Sequence, residues 1–229
     1  MENGVKVINR VGKDLSVKVD NSNGSIEVTV EYPENRMRLS RLNPGDIFKT
    51  DGVRYIVLEH FDNGTAAVIR KEPLQKGMVF DSEDNNWKLC RIRRFLNSEY
   101  LEGLKEVFGE CSIVSHATNL LSLDGLKDYG KCDDKVSLLS IGQYWQYREY
   151  LNDILYGSDK EDDSWWLATP DSTNSGFGSN DVLHVGSMGD IGCSPCDFYR
   201  GVRPYFVLKD SVMVVADGHV CNENRALIL

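Results

Sequence analysis

The chain has 229 residues, of which 41% are hydrophobic and 27% are charged. This length suits one main domain with an appendage, and the composition excludes a disordered or collagen-like chain. The formal net charge of −9 disfavours nucleic-acid binding, because an acidic surface repels phosphates. No apolar run approaches the ~20 residues of a membrane helix, so we expect no membrane insertion.

The first residues contain no apolar signal-peptide segment, so we expect synthesis in a cytoplasm. The final localisation is unknown from the sequence, and assembly on a phage particle stays open. Six cysteines are scattered along a chain that is too long to need disulfide staples. Free thiols are therefore the expected state of the cysteines.

Residues 1–35 are predicted to form a β-hairpin arm before a main domain of residues 36–229. Residues 15–19 and 26–30 alternate apolar and polar side chains on either side of a turn-rich stretch. A lone hairpin is only marginally stable. We therefore expect the arm to pack on the main domain or to join copies of the chain into a homo-oligomer.

Three short antiparallel strands are predicted between residues 37 and 80. Turn residues at 43–46, 51–52 and 62–64 separate the apolar runs, and Asp51-Gly52 is a strong hairpin signal. A first helix is predicted from Trp87, because Leu89, Ile92 and Leu96 follow helical spacing. This region therefore changes from strand to helix near residue 87.

A second helix is predicted near Ser140, which has capping-box spacing to Gln143. Its predicted apolar stripe consists of Ile141, Tyr144, Trp145, Leu151 and Leu155, interrupted by Arg148.

The last third returns to β structure. Strands are predicted at residues 165–170 and 202–208, followed by a terminal hairpin of residues 212–215 and 226–229. Residues 171–200, here called the binding segment, are rich in Gly, Ser, Asn and Asp and are predicted to be long and irregular. Strands, two helices and further strands indicate an α+β fold.

Four blocks, at residues 86–97, 134–140, 165–170 and 201–208, together resemble an uncharacterised bacterial and phage domain. Its typical pattern is W..S.IR.WLN, a leucine-rich LLS, WWLRSPG and then GVRPAL. The resemblance covers about residues 37–210, and the order and spacing of the blocks carry it. The chain departs from the pattern at Ala168-Thr169, in place of Arg-Ser, and at Tyr205-Phe206, in place of Ala-Leu.

This resemblance implies a C-type-lectin-like fold, similar to that of the variable proteins of diversity-generating retroelements. Such proteins display a diversified surface for ligand or receptor binding, often on phage tails or cell surfaces. The implied function is non-catalytic binding of a protein or carbohydrate ligand. Two alternatives stay open, namely an enzyme with the similar fold of formylglycine-generating enzymes and a structural phage or assembly protein.

The binding segment is the predicted ligand site, because loops on a rigid scaffold commonly carry binding. Its mixture of Asn, Ser and Gly with single aromatic residues also resembles an adaptable paratope. The candidate ligand-binding residues are polar or expected to protrude: Asn174, Asn180, Asp181, Leu183, His184, Ser187, Cys193, Ser194, Pro195 and Tyr199.

Trp87, Trp165, Trp166 and Arg203 are predicted to be structural. Alternation along a strand puts Trp165 and Trp166 on opposite faces, so that one ring is core and the other lines an interface or lies beneath the binding segment. Arg203 stands in an apolar strand and needs a buried carboxylate or carbonyl partner, since an unpaired buried charge is costly.

We predict no catalytic residue, no metal and no cofactor. Cys193-Ser-Pro-Cys196 has the spacing of a zinc half-site or a redox pair. A second cysteine pair and a nearby pair of histidines are missing, so incidental thiols, a local disulfide and a metal or redox site all stay open. The four histidines are scattered, and the sequence offers no partner for a histidine-dependent nucleophile.

Overall fold

The computed structural model describes residues 36–74, 77–156, 164–176 and 180–217, together with two N-terminal strands. These strands are β1, Ser16–Asp20, and β2, Glu27–Glu31. They pair antiparallel, with Val17 opposite Val30, which confirms the predicted hairpin. The remainder of residues 1–35, the acidic run at 157–163 and the predicted strand at 226–229 lie outside the described residues.

The main body is a mixed α+β fold with mostly antiparallel strands. Its strands are β3 Arg36–Arg38, β4 Ile47–Thr50, β5 Val53–Phe61, β6 Thr65–Arg70, β7 Met78–Val79, β8 Ile113–Val114, β9 His116–Asn119, β10 Lys131–Asp134, β11 Val136–Ser137, β12 Trp165–Pro170, β13 Asp181–Val185, β14 Ile191–Pro195, β15 Tyr199–Arg200, β16 Tyr205–Lys209 and β17 Met213–Ala216. Its helices are α1 Arg91–Phe95, a π-helical turn Leu96–Tyr100, α2 Leu101–Phe108 and α3 Ile141–Leu155. Within the described ranges, none of these helices has the length and apolar character needed to cross a bilayer.

An eight-stranded sheet forms the centre of the body. Its strand order is β11-β16-β6-β5-β4-β17-β3, and β8 pairs with β16 beside this path. The predicted meander of β4, β5 and β6 is confirmed, and both residues of its first turn have positive φ, 49° at Asp51 and 79° at Gly52. This pair of left-handed residues is what a tight two-residue hairpin requires. Strand β17 pairs with β3 and β4, joining the two ends of the described body.

The first helix is one rod in which α1, the π turn and α2 follow without a break, because Leu96 and Leu101 both keep helical φ and ψ. The predicted first helix is confirmed, but it begins at Arg91 and not at Trp87, and Leu89 is 62% exposed. Cys90 is the N-cap of the rod, and its Sγ accepts a hydrogen bond from the Arg93 amide at 3.3 Å.

Helix α3 confirms the predicted capping box between Ser140 and Gln143. The buried stripe consists of Tyr144, Tyr147 and Leu151, while Trp145 is 56% exposed. The prediction of Trp145 in the stripe is therefore wrong. One residue along a helix turns the side chain by about 100°, so a residue next to a buried tyrosine leaves the buried face.

Two apolar clusters lie on opposite faces of the main sheet, because neighbouring residues such as Tyr205 and Phe206 point to opposite sides. The first rod covers the face of Phe206, and α3 covers the face of Tyr205. Trp165 lies in the cluster of Tyr205 and Trp166 lies in the cluster of Phe206, and both rings are fully buried. The predicted alternation of these rings is thus confirmed.

Candidate functional site

The binding segment is largely regular sheet. Strands β12, β13 and β14 form a three-stranded antiparallel sheet in which β13 is central. The prediction of a long irregular segment is therefore wrong for its middle part. Val182, Leu183 and Val185 supply the apolar side chains that both faces of a central strand bury.

The turn between β12 and β13 is held by a buried asparagine that the sequence analysis missed. The Asn85 Nδ2 donates to the Ser172 carbonyl at 2.9 Å and to the Asp181 carbonyl at 3.1 Å. The Tyr129 hydroxyl donates to Asn85 Oδ1 at 2.8 Å. Asn85 thus fixes both ends of the turn, and its position immediately before the first block was the signal available in the sequence.

Hydroxyl groups and carboxylates line this turn. The Ser172 hydroxyl donates to Asp124 at 2.6 Å, and Ser122 also donates to this carboxylate. Hydrogen bonds from Ser122 and Ser172 lower the pKa of Asp124, and those from Ser175 and Thr173 lower the pKa of Asp128. These carboxylates therefore ionise more readily than an ordinary aspartate.

Five predicted ligand-binding residues are exposed, and we call them the outer surface: Asn174, Asn180, Cys193, Pro195 and Tyr199. Cys193 and Pro195 lie on β14, Asn174 and Asn180 lie on the turn between β12 and β13, and Tyr199 lies on β15, which pairs with β7. Tyr199 is the most prominent, with 70% of its surface accessible. Asp181, His184 and Ser187 are partly exposed.

Two predicted ligand-binding residues are buried, so the expectation that they protrude from the surface is wrong. Leu183 is 1% exposed because it points from the central strand into the cluster beneath α3. Ser194 is 5% exposed, and its hydroxyl accepts a hydrogen bond from Arg200 Nη2 at 3.0 Å. Neither side chain can contact a ligand while the strands stay paired.

His184 and Ser194 are brought together by the register of β13 and β14. The distance between His184 Nδ1 and Ser194 Oγ is 3.4 Å. Burial and the nearby Arg200 charge lower the pKa of His184, which favours the neutral ring. A serine nucleophile also needs access to substrate, and Ser194 lacks it, so this pair supports the sheet and the contact of His184 with Trp166.

Cys193 and Cys196 are free thiols, one exposed and one buried. Burial raises the pKa of both, to about 11 for Cys196, and nearby aspartates act in the same direction. A redox or nucleophilic cysteine has a lowered pKa. Among the described residues, no group of three His, Cys, Asp or Glu side chains is arranged to hold a metal ion.

The first two sequence blocks meet inside the body at Asp134, which is 2% exposed. One carboxylate oxygen of Asp134 accepts from Trp87 Nε1 at 2.8 Å and from the Thr118 hydroxyl at 2.7 Å. The other accepts from Arg93 Nε at 2.7 Å. Asn97 Oδ1 accepts hydrogen bonds from the backbone amides of Lys135 and Val136.

The third and fourth blocks also meet. The Trp166 amide donates to the Gly201 carbonyl at 3.0 Å, and the Gly201 amide donates to the Ser164 carbonyl at 2.8 Å. The Arg203 guanidinium lies over the Trp165 ring, 5.8 Å from its centre. Trp87, Trp165, Trp166 and Arg203 are all buried, as their predicted structural role requires.

The fold and site therefore define an α+β body in which four sequence blocks build the scaffold and β14 with its adjoining turns forms an exposed edge. Residues 63–210 match the family described as Domain of unknown function (DUF6273). This range covers more than half of the chain and contains all four blocks, so the chain belongs to this family. Comparisons with curated proteins and with solved structures find no match.

Proposed function

We propose that the chain is a non-catalytic binding protein that presents the outer surface to a protein or carbohydrate ligand from a C-type-lectin-like scaffold. One observation carries the proposal. Cys193 and Pro195 of the outer surface lie on the exposed edge strand of a sheet, and β12 of the same sheet carries two fully buried tryptophans, Trp165 and Trp166. A backbone anchored in this way loses little conformational entropy when a ligand binds.

The hydrogen bonds of Asn85 support the same proposal. They hold the turn that carries Asn174 and Asn180 at both of its ends. Binding residues close to anchored backbone, as Asn174 is to Ser172 and Asn180 is to Asp181, are partly ordered before the ligand arrives, which favours specific recognition over coupled folding. Tyr199 adds a large exposed ring of the kind that serves as an anchor in binding surfaces.

The charge near the outer surface favours a ligand with basic groups at its rim. Asp124, Asp128 and Asp197 are exposed, and Asp181 is partly exposed. Complementary charges accelerate association, and added salt weakens the attraction between them. We therefore propose a partner that contacts the outer surface directly and whose basic groups, at the rim of the contact, lie next to these carboxylates.

The raised pKa values of Cys193 and Cys196 and the burial of Ser194 give no support to the enzyme alternative. An assembly role for the hairpin of β1 and β2 stays a prediction. The finer proposal of retroelement diversification on a phage rests on the resemblance of the four blocks. A reverse transcriptase gene beside a near-copy of the DNA for residues 170–208 would support it.

The proposal is tested with a variant that carries Asn174→Ala, Asn180→Ala, Cys193→Ser and Tyr199→Ala. Labelled wild-type protein is titrated onto panels of bacterial cells and immobilised glycans to find a saturable target. We expect the variant to need at least about ten times more protein for half-saturation, which corresponds to about 1.4 kcal/mol. We expect its melting temperature to change by only a few degrees, because exposed side chains contribute little to stability.

A matched control carries alanine at Lys49, Glu149 and Lys209, which are exposed on other elements. It should bind like the wild type. Equal binding by the four-residue variant would refute the proposal. A collapse of its melting temperature would show that the outer surface belongs to the core.

A further inference from the structure

A cavity of about 400 Å³ opens between the first helical rod and strands β5 and β6, away from the residues of the outer surface. Val53, Phe95, Leu104 and Val107 give it apolar walls. Its volume lies in the range of pockets that hold small ligands, about 300–1,000 Å³.

The deep part of the cavity carries hydrogen-bond donors. Tyr55 is 3% exposed, and the Tyr100 hydroxyl is buried beside Tyr55 and Arg70. Burial raises the pKa of both phenols, and their hydroxyl groups interact with each other, with Arg70 beside Tyr100. Arg70 donates through Nε to the Glu72 carbonyl at 3.0 Å, and no carboxylate of the described chain forms an ion pair with it.

The mouth of the cavity has the opposite charge. Asp51, Glu99 and Glu106 line it and are exposed. The Arg70 guanidinium and the neighbouring phenol hydroxyls of Tyr55 and Tyr100 therefore lie on the inner side of the cavity, and carboxylates lie at its opening. An anion would be attracted to the base and repelled at the mouth unless it also carried a positive charge.

The π turn builds this arrangement. A π turn widens the helix, so that residues five apart come onto the same face. Phe95 and Tyr100 are five apart, and their ring centres lie 6.5 Å from each other at the cavity. In a regular α-helix the same two residues would point in directions about 140° apart. Because π turns occur frequently at functional sites, the turn is a second indication of a binding role.

We propose that the cavity binds a small elongated zwitterion, with a carboxylate and an ammonium group at opposite ends of an apolar or aromatic body. The carboxylate contacts Arg70 and the Tyr100 hydroxyl. The body packs between Phe95 and Leu104, and the ammonium group lies near Asp51 and Glu99. This site is independent of the outer surface, so either proposal can fail without the other.

The probe for this site is 4-(aminomethyl)benzoate, which has the two charged groups at opposite ends of one ring. Titration calorimetry or ligand-observed NMR at low salt should show saturable binding. Removing either charge, as in 4-methylbenzylamine or 4-methylbenzoate, should weaken binding at least about tenfold, because the charged groups at one end of the cavity then lose their partner on the ligand. Arg70→Gln should remove the preference for the zwitterion over the amine.

Gly103 allows a decisive variant, since it lines the cavity and a Cβ added there meets nothing within 4 Å. Gly103→Leu should fill the cavity and abolish binding without lowering the melting temperature. Gly142 in α3 is an equally open helical glycine, so Gly142→Leu is the matched control and should bind normally. The proposal is overturned if the probe shows no saturable binding at millimolar concentration, or if Gly103→Leu binds it like the wild type.

Discussion

His116 shows how burial sets the charge of a single residue in this protein. Its Nε2 lies 2.8 Å from the Ser137 hydroxyl, and its ring contacts Tyr205 edge-on with centres 5.0 Å apart. Burial lowers the pKa of His116 from the ordinary value of 6.5, and the weaker attraction of Asp134 only partly opposes this. The folded state therefore favours the neutral ring.

This lowered pKa predicts a loss of stability between pH 7.5 and pH 5.5. In that window the unfolded chain takes up a proton on His116 more readily than the folded chain, so the free energy of unfolding falls as the pH falls. His116→Asn should reduce this dependence, while His184, whose pKa is lowered mainly by burial, retains its own part. Urea unfolding at both pH values measures the change, and an undiminished pH dependence in His116→Asn would contradict it.

At the scale of elements, Asp134 joins four parts of the body. It is the last residue of β10, and its carboxylate accepts hydrogen bonds from α1, from β9 and from the segment before the rod. Its ion pair with Arg93 is buried on the aspartate side, with none of the Asp134 side chain exposed. A hydrogen-bonded buried charge of this kind fixes how elements meet, even where its net contribution to stability is small.

Asp134→Ala should lower the free energy of unfolding by about 3–5 kcal/mol, because it leaves the Arg93 charge and two buried donors without their acceptor. Asp133 is the matched control, since it is exposed and adjacent in the same strand. Asp133→Ala should change the same quantity by less than about 0.5 kcal/mol. Equal losses in the two variants, measured by urea unfolding, would show that Asp134 does not organise the body.

Local chemistry predicted several elements correctly. The Asp51-Gly52 turn and the Ser140 capping box are decided by a few neighbouring residues, and both occur where the sequence indicates. The first rod was predicted to begin at Trp87 because helical spacing continues through Leu89. Trp87 instead lies before the rod and donates a hydrogen bond to Asp134, which is 47 residues away in the chain.

In the binding segment, too, contacts that are distant in the chain override the structure that the local sequence indicates. Its Gly, Ser and Asn content indicated irregular structure, but β12 provides a partner whose hydrogen bonds make β13 a central strand. Leu183 then becomes core, whereas Asn174 and Asn180 stay exposed at the turn. Exposure of these asparagines followed from local composition, while burial of Leu183 depended on strand pairing that composition does not encode.

At the scale of the whole molecule, the four blocks and the outer surface have separate tasks. The blocks meet in two pairs, one at Asp134 and one at Gly201, and they supply the buried side chains that hold the body together. The outer surface contributes no side chain to either junction. We therefore infer that a rigid scaffold presents side chains that folding does not require.

Saturation mutagenesis with surface display tests this claim most directly. Each outer-surface position and each of Trp87, Arg93, Asp134 and Trp166 is varied, and folded protein is scored by resistance to protease. The account predicts that the outer-surface positions accept most substitutions, whereas the four scaffold positions accept few. Outer-surface positions that are as intolerant as the scaffold positions would contradict it.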